Sequence, residues 1–283
     1  MTLECIVATD VATFSELVWP FLLEREVEHN LIIGTLRELA HFPDTYLQPP
    51  YMAAVLLHGQ VVACGVMTPP HKLVISRASA EAAELLAADL AARGARVPGF
   101  SAPRPSAFGE AWRGQTGQRS QLQVELRIYQ LTHVMTPVPA RGRLQRAKAA
   151  DLPRIRTWLA AFNAEAMHEH GTPADYAALA RRWIESPQRS LAWWIDDKPV
   201  CMIGVNYATP NGARIGPVYT PPALRGRGYA SNAVAALSQQ VLDGGRAFVS
   251  LYTDLANPTS NGIYQAIGFV PVADTDDYAF VAS

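Results

Sequence analysis

The sequence has little charge and few cysteines. Only 17% of its 283 residues are charged, and the formal net charge is -1. A balance so close to zero gives no general attraction to nucleic acid or to an anionic membrane, so neither partner is expected. The three cysteines, Cys5, Cys64 and Cys201, lie far apart with no paired spacing. This argues against a disulfide framework and against a zinc knuckle.

Long apolar runs are also missing. The longest, such as Tyr51–Leu57, are far shorter than a membrane span, and the start Met1-Thr2-Leu3-Glu4 has no basic segment leading into an apolar one. We therefore expect a cytoplasmic protein with no membrane partner. Apolar residues still make up 49% of the chain. That is enough core material for a chain folded almost throughout.

The length favours two domains, since single hydrophobic cores usually stop growing before this size. The stretch Thr136–Arg143 collects prolines, a glycine and charge between two strand-like segments, as linkers do. We predict one domain over residues 1–136, a linker over 137–142 and a second domain over 143–283. The sequence leaves the oligomeric state open.

The order of predicted elements recurs after the linker. Residues 12–39 and, in the second half, 153–167 and 174–184 read as helical, and each half continues into a strand hairpin. The hairpin strands ending at Gly65-Val66 and Gly204-Val205 are each followed shortly by Thr-Pro. Short hairpins agree by chance often enough that this echo alone leaves both duplication and coincidence open.

The most informative segment follows a predicted strand over Ile215–Thr220. Arg225–Ala230 is a glycine-rich turn that opens a helix running to Asp243. Glycines let the backbone approach a ligand closely, and the free N–H groups and dipole of a helix start attract phosphate. As the alternative, Gly226 and Gly228 only form a tight turn beside solvated arginines.

The turn fits the pattern Arg/Gln-x-x-Gly-x-Gly/Ala and resembles the acetyl-CoA signature of the GNAT superfamily of N-acetyltransferases. The resemblance covers roughly Arg143 to the C-terminus. It implies that the pyrophosphate of acetyl-CoA is bound by Arg225, Gly226, Arg227, Gly228, Tyr229 and Ala230. Because tandem arrangements are known in this superfamily, it also implies an α/β (α+β) fold of two tandem GNAT-like domains, each a mixed, largely antiparallel sheet flanked by helices.

A second block, Asn257–Phe269, resembles the GNAT segment that ends in Tyr-x-x-x-Gly-Phe. Asn257 is expected to cap a helix with Pro258 at its first position. By the resemblance, the Asn257 side chain would also contact the pantetheine arm. Tyr264 is either a core aromatic or, as the family pattern implies, the acid that protonates the departing thiolate of CoA.

Gly216-Pro217 is unusual inside a strand, because proline removes a backbone donor. In GNAT folds this strand splays from its neighbour and the pantetheine lies in the opening. The resemblance therefore implies that the main chain of Val218, Tyr219 and Thr220 lines the pantetheine and the acyl carbonyl. A neutral amine would attack the thioester directly, without a metal.

Several points stay open in the sequence. The strand before the turn carries no carboxylate, so a water relay, Glu165, His168 or Asp254 would have to act as the base. His168-Glu169-His170 is an alternative metal motif, although a solvated helix end is the simpler interpretation. The alternative function is a non-catalytic acyl-CoA-binding sensor or assembly module. The expected acceptor is a small-molecule or peptide amine. The sequence identifies neither this amine nor the preferred acyl chain.

The first half lacks the phosphate-binding turn. At the corresponding point, Ile75–Ala80 contains no glycine, so a close approach of the backbone to a pyrophosphate is not expected. We predict a degenerate GNAT-like domain without a phosphate loop over residues 1–136. Acetyl-CoA should then bind only in the second half.

Overall fold

The computed structural model describes residues 2–42, 48–167, 171–207 and 209–282. By packing, the chain forms two compact units. The first consists of Met1–Ile128, Thr253–Ala256 and Val272–Ser283, and the second of Tyr129–Tyr252 and Asn257–Pro271. The predicted domain bounds, with a linker over residues 137–142, stay a prediction, because packing into units does not show which segments fold independently.

The first unit contains most of the N-terminal half. Its elements in chain order are β1 (Leu3–Ala8), α1 (Val11–Leu23), α2 (Asn30–His41), β2 (Tyr51–Leu57), β3 (Gln60–Met67), β4 (Leu73–Ile75), α3 (Ala80–Ala92), β5 (Gly99–Pro103), α4 (Phe108–Thr116) and β6 (Arg119–Leu131). The last residues of β6 belong to the second unit.

The second unit follows the same order. Its elements are β7 (Arg143–Arg146), α5 (Leu152–Phe162), α6 (Pro173–Glu185), β8 (Arg189–Asp196), β9 (Lys198–Asn206), β10 (Gly212–Tyr219), α7 (Tyr229–Asp243), β11 (Phe248–Asp254), α8 (Pro258–Ile267) and the start of β12 (Val270–Val281). From Val272 onward, β12 belongs to the first unit.

Both units have one strand pattern. The first has the order β1-β2-β3-β4-β5-β12, in which β4 and β5 are parallel and the other neighbours antiparallel. The second contains the order β7-β8-β9-β10-β11, in which β10 and β11 are parallel and the other neighbours antiparallel. The predicted fold class is confirmed: two tandem units, each a mixed, largely antiparallel sheet flanked by helices.

The sheet of the second unit is covered on both faces because its central strands alternate their side chains. On β9, Cys201 and Ile203 pack in the apolar cluster formed with α7 and α8. Met202 packs on the opposite face, in the cluster formed with α5 and α6. The first unit likewise has two clusters, one with α1 and α2 and the other with α3 and α4.

The structure refines two predicted helices. The region 12–39 is not one helix but α1 and α2, and the turn between them buries Glu28 and His29. The ring nitrogen Nδ1 of His29 lies 3.0 Å from the Leu22 carbonyl. No glycine or proline marks this break, so periodicity missed it. The helix predicted over 153–167 ends at Phe162 and continues as a π-helical turn, Asn163–Met167.

Three carboxylates attach β12 to the first unit. Asp274 accepts hydrogen bonds from Arg127, with 2.7 Å between Nε and Oδ1. Asp276 lies 3.0 Å from Nε of Arg104, and Asp277 pairs with Lys72. Each partner is distant in sequence, so these contacts help to select which strand pairs with β5.

The Arg127–Asp274 pair predicts a pH-dependent stability. The hydrogen bond from Arg127 lowers the pKa of Asp274 below its usual value. A carboxylate of this kind stabilises the fold above its unfolded-state pKa of about 4, and this contribution is lost as pH falls through the folded-state value. We expect Asp274→Asn to lower the free energy of unfolding by about 1 kcal/mol at neutral pH, and by less in acid.

Urea unfolding at pH 7 and near pH 3 measures this difference. Glu110→Gln, which removes an exposed i,i+3 partner of Arg113, is the control and should change stability little at either pH. An Asp274→Asn deficit of equal size at both pH values would contradict the assignment.

Candidate functional site

Strand β10 leaves its parallel neighbour partway along its length. In the described ladder between β10 and β11, pairing runs from Gly212–Phe248 to Arg214–Ser250. The register with β9 then shifts between Ile215 and Val218. Gly216 lies within this shift at φ 144°, a value that side-chain-bearing residues rarely adopt. The second half of β10 therefore diverges from β11 and leaves an opening between the two strands.

Gly204 on β9 lets the displaced backbone pass. A methyl group at this position would lie 2.8 Å from the Gly216 carbonyl oxygen and 2.9 Å from Cδ of Pro217. It would also lie 2.9 Å from the Trp183 ring. Sequence reasoning used Gly204 only as part of the hairpin echo. A glycine inside a strand is a general sign of close backbone approach.

The end of β10 contains the residues whose main chain is predicted to line the pantetheine. Val218 and Tyr219 pair with Ile203 and Met202 of β9. Because backbone groups along a strand alternate between its two edges, part of the main chain of this segment is directed towards the opening. Thr220 directly follows the strand. The structure thus places Val218, Tyr219 and Thr220 together at the point where β10 and β11 are apart.

The glycine-rich turn starts α7 without a side-chain cap. Gly226 and Gly228 have φ values of 76° and 74°, so both positions need glycine. Gly228 is the N-cap of α7, and within the described chain no side chain accepts a hydrogen bond from the first turn. By contrast, the Ser79 hydroxyl caps α3 by accepting from the Ala82 amide. The first amides of α7 are accordingly left to a ligand or solvent.

Asn232 holds the turn in place. Its Nδ2 donates to the Gly228 carbonyl at 3.0 Å and to the Val138 carbonyl at 2.9 Å. This residue was not predicted from the sequence. An asparagine one turn into a helix has no distinctive local pattern, so only the folded contact identifies it.

The other predicted residues of the turn contribute in different ways. Arg225 donates from Nε to the Thr220 carbonyl at 2.9 Å and also pairs with Glu165. Arg227 is exposed and lies 3.4 Å from the Ala223 carbonyl. The Tyr229 hydroxyl donates to Asp196, while Ala230 packs against the core. Tyr229 and Ala230 therefore present only backbone to a ligand at the helix start.

Glu165 lies in the π-helical turn and contacts the end of β10. Its Oε1 accepts a hydrogen bond from the Tyr219 hydroxyl at 3.3 Å, and its Oε2 pairs with Arg225. Burial, and secondly the Glu165 charge, raise the pKa of Tyr219 above its usual value. Trp158 of α5 packs edge-on against the Tyr219 ring. These contacts place the Glu165 carboxylate beside the C-terminal end of β10.

Helix α8 is fixed by its cap and by a buried tyrosine. The Asn257 side chain accepts a hydrogen bond from the Ser260 amide at 3.0 Å, as the capping prediction requires. Tyr129 of β6 donates to Asn261 at 3.1 Å and accepts from Gln265 at 2.9 Å. The helix therefore has a defined position on the sheet, which is a condition for any role of its side chains in chemistry.

Tyr264 of α8 is half-buried and packs against the apolar cluster that contains Cys201 of β9. Its ring packs edge-on against Phe269, with 5.9 Å between ring centroids. Burial, and then the neighbouring Cys201, raise the pKa of Tyr264 to about 12. Burial likewise raises the pKa of the Cys201 thiol to about 11, against the opposing effects of Thr220 and the Tyr219 backbone. The Tyr264 phenol is thus protonated at neutral pH.

Residues 152–269 match the model of the acetyltransferase (GNAT) family. This part of the chain is therefore similar to GNAT domains. It contains strand β10, the glycine turn, Glu165 and Tyr264. The match to this family supports acyl transfer as the class of reaction. No curated protein sequence matches the chain.

Solved structures resemble the whole chain. A Drosophila protein has a TM-score of 0.67 at 13% identity, with 99% of this chain and 98% of that chain covered. A GCN5-related N-acetyltransferase from Sphaerobacter thermophilus has a TM-score of 0.60 at 13% identity, covering 97% and 94%. A tandem GNAT protein from the clavulanic acid biosynthesis pathway has a TM-score of 0.59 at 15% identity, covering 98% of both. At these identities the likeness shows the fold.

The remaining residues considered for the general base are Asp254 and His168. Asp254 belongs to the first unit and accepts a hydrogen bond from the Ala256 amide at 2.7 Å. His168, with the rest of the His168-Glu169-His170 motif, lies outside the described residues. Among the residues that are described, no group of three His, Cys, Asp or Glu side chains is arranged to hold a metal. None of the described helices is long and apolar enough to cross a membrane.

The close approach at Gly204 predicts a large cost for a small side chain. In Gly204→Ala the new methyl group meets the Gly216 carbonyl, a backbone group that cannot move without displacing the break in β10. We expect a loss of about 1–3 kcal/mol in the free energy of unfolding. Denaturant titration measures it.

Gly262→Ala is the matched control, since a methyl group there has no neighbour within 4 Å and the residue lies inside α8. Replacing a helical glycine with alanine should raise the free energy of unfolding by roughly 0.5–1 kcal/mol. A neutral Gly204→Ala substitution would mean that the two backbones do not need to pass so closely.

Proposed function

We propose that the second unit binds acetyl-CoA and transfers its acetyl group to an amine by direct attack. The observation that carries the proposal is the opening between β10 and β11, which ends at a glycine turn and an uncapped helix start. An elongated ligand with a pyrophosphate at one end matches both features. The family match supports acyl transfer in general, and the finer assignment to acetyl-CoA and an amine is our inference.

The pyrophosphate fits the start of α7. Backbone amides from Gly226 to Ala230 would bind its oxygens, and the helix dipole favours negative charge there. Arg227, exposed at the turn, adds positive charge. The pantetheine would lie in the opening along the main chain of Val218, Tyr219 and Thr220, as an added strand does. Asn257, at the start of α8, is proposed to contact the same arm.

The residues around the register shift in β10 lie on the two opposite faces of the sheet. The Tyr219 ring packs with α5 and α6 and reaches Glu165, whereas Tyr264 packs with α7 and α8. A thioester held in the opening would lie between a carboxylate on one face and a phenol on the other. This arrangement suits a reaction in which one proton leaves the nucleophile and another joins the leaving group.

Each group then has one task. Backbone N–H groups of Val218 to Thr220 polarise the thioester carbonyl. The neutral amine forms a C–N bond to the carbonyl carbon and loses a proton, for which Glu165 is the proposed acceptor, directly or through water. As the C–S bond breaks, Tyr264 donates its phenolic proton to the sulfur. The products are an N-acetyl amide and CoA.

Binding is tested at the helix start. Gly228→Asp puts a side chain and a negative charge where the pyrophosphate is proposed to lie, at a φ that disfavours any side chain. We expect CoA affinity to fall at least about tenfold, which corresponds to about 1.4 kcal/mol. Isothermal titration calorimetry measures the affinity.

Gly245→Asp is the matched control. Gly245 also has a positive φ, 87°, but follows the opposite end of α7. It should bind CoA as the wild type does. Equal affinity in Gly228→Asp and Gly245→Asp would remove the basis of the cofactor assignment.

Catalysis is tested at Tyr264. Tyr264→Phe keeps the ring and its packing but removes the proton donor, so CoA affinity should stay within a few-fold while turnover falls by about 10²-fold. Release of free CoA with a panel of amines measures turnover. Tyr278→Phe removes a phenol of the first unit that donates to Asp276, and it should leave turnover unchanged.

The outcomes separate the candidate roles. Wild-type turnover in Tyr264→Phe would return Tyr264 to the role of a core aromatic. Binding of CoA by the wild type with no turnover on any amine would favour the non-catalytic sensor or assembly module.

A further inference from the structure

An arginine at the start of the phosphate turn is paired with a carboxylate instead of facing the helix start. The Arg225 side chain runs back along the chain to the Thr220 carbonyl and to Glu165. Its guanidinium also lies 6.0 Å from the centre of the Tyr219 ring. Arg225 thus contacts Tyr219 at the end of β10, Thr220 directly after it, and the carboxylate that we propose as the proton acceptor.

This pair is exposed enough to exchange partners. The side chains of Arg225 and Glu165 keep 49% and 42% of their accessible surface. Ion pairs with this exposure contribute little free energy, because water screens and competes for both charges. A dianionic pyrophosphate at the adjoining turn would be a stronger partner for a guanidinium, which binds phosphate oxygens in a bidentate manner.

The first unit contains a corresponding pair that is built differently. Arg77 lies in the segment before α3 and Glu28 between α1 and α2, as Arg225 lies before α7 and Glu165 between α5 and α6. Arg77 Nε lies 2.6 Å from Glu28 Oε1, but the Glu28 side chain is only 4% exposed. The Arg77 side chain is 41% exposed, so only the carboxylate of this pair is buried, and Arg25 lies 3.7 Å from Glu28 as a second cation. Removing Arg77 would weaken the compensation of a buried charge. The Glu28 carboxylate, unlike that of Glu165, is therefore not accessible to an incoming cation.

We propose that Arg225 is shared between two anions in succession: it neutralises Glu165 in the free protein and moves to the pyrophosphate when CoA binds. The Glu165 carboxylate is then released to bind the ammonium group of a cationic amine acceptor. One ammonium proton leaves to water to give the neutral amine, and Glu165 takes up the next proton as the C–N bond forms. The inference rests on the proposed function and adds a substrate class, amines that arrive protonated. It also makes Glu165 a group that becomes available only after the cofactor has bound.

Calorimetry with CoA as the probe tests the exchange on the full chain. In Glu165→Gln, Arg225 no longer has to leave a carboxylate, so CoA should bind more tightly, by about two- to fivefold. In Arg225→Gln, CoA should bind more weakly. In the double variant the gain from Glu165→Gln should disappear, because the cation that mediates it is gone.

Asp243→Asn is the matched control. It removes one negative charge from an exposed carboxylate at the other end of α7, about 20 Å away along the 15-residue helix. CoA affinity should stay at the wild-type value. Equal tightening in Asp243→Asn and Glu165→Gln would mean that net charge alone is responsible.

The role of Glu165 toward the amine is tested by steady-state kinetics with any amine that the wild type acetylates. Glu165→Gln should lower kcat/KM for the amine by at least about tenfold, although it tightens CoA. A purely structural Glu165 would not move the two quantities in opposite directions.

The two levels of inference fail differently. If the wild type binds CoA but Glu165→Gln binds it equally or less tightly, or gains as much in the Arg225→Gln background, the exchange is wrong and the proposed function stands. If the wild type does not bind CoA, both are wrong.

Discussion

The separation of β10 from β11 is the constraint on which the rest of the second unit depends. Pairing stops after Arg214 and Ser250 because the backbone turns at Gly216, and Gly204 leaves the space for that turn. The opening exposes backbone groups that a regular sheet would pair internally. It also lies just before the end of β10, after which the glycine turn and α7 follow in the chain.

The features predicted from the sequence are those encoded locally. Strand and helix periods, glycines at positive φ and the Asn257 cap each depend on neighbours within a few residues. The contacts that were missed join distant positions: Asn232 reaches Val138, and Gly204 meets Gly216. Glu165 was one of three base candidates, because a helix pattern running through it does not reveal the π-helical turn that places it on Tyr219. The β12 ion pairs likewise join positions more than 100 residues apart.

The two units show how one pattern of strands serves two purposes. Each has a helix between its two parallel strands. The two helices differ in the residue at their N-cap, which is Ser79 in α3 and Gly228 in α7. In α3, Ser79 uses its hydroxyl to satisfy an amide of the first turn. In α7, Gly228 has no side chain to do so. The first unit therefore satisfies its helix start internally, which agrees with our proposal that it is a GNAT-like domain without a phosphate loop.

The apolar setting of Tyr264 is consistent with the acid role that we propose for its phenol. Burial penalises the charged form of any group, so it raises the pKa values of Tyr264 and of the neighbouring Cys201 thiol. A thiolate leaving into the same surroundings would be penalised in the same way. The penalty favours proton transfer to the sulfur as the C–S bond breaks, instead of the release of a free anion. Burial would thus keep the proposed acid protonated before the reaction and favour transfer of its proton to the sulfur during it.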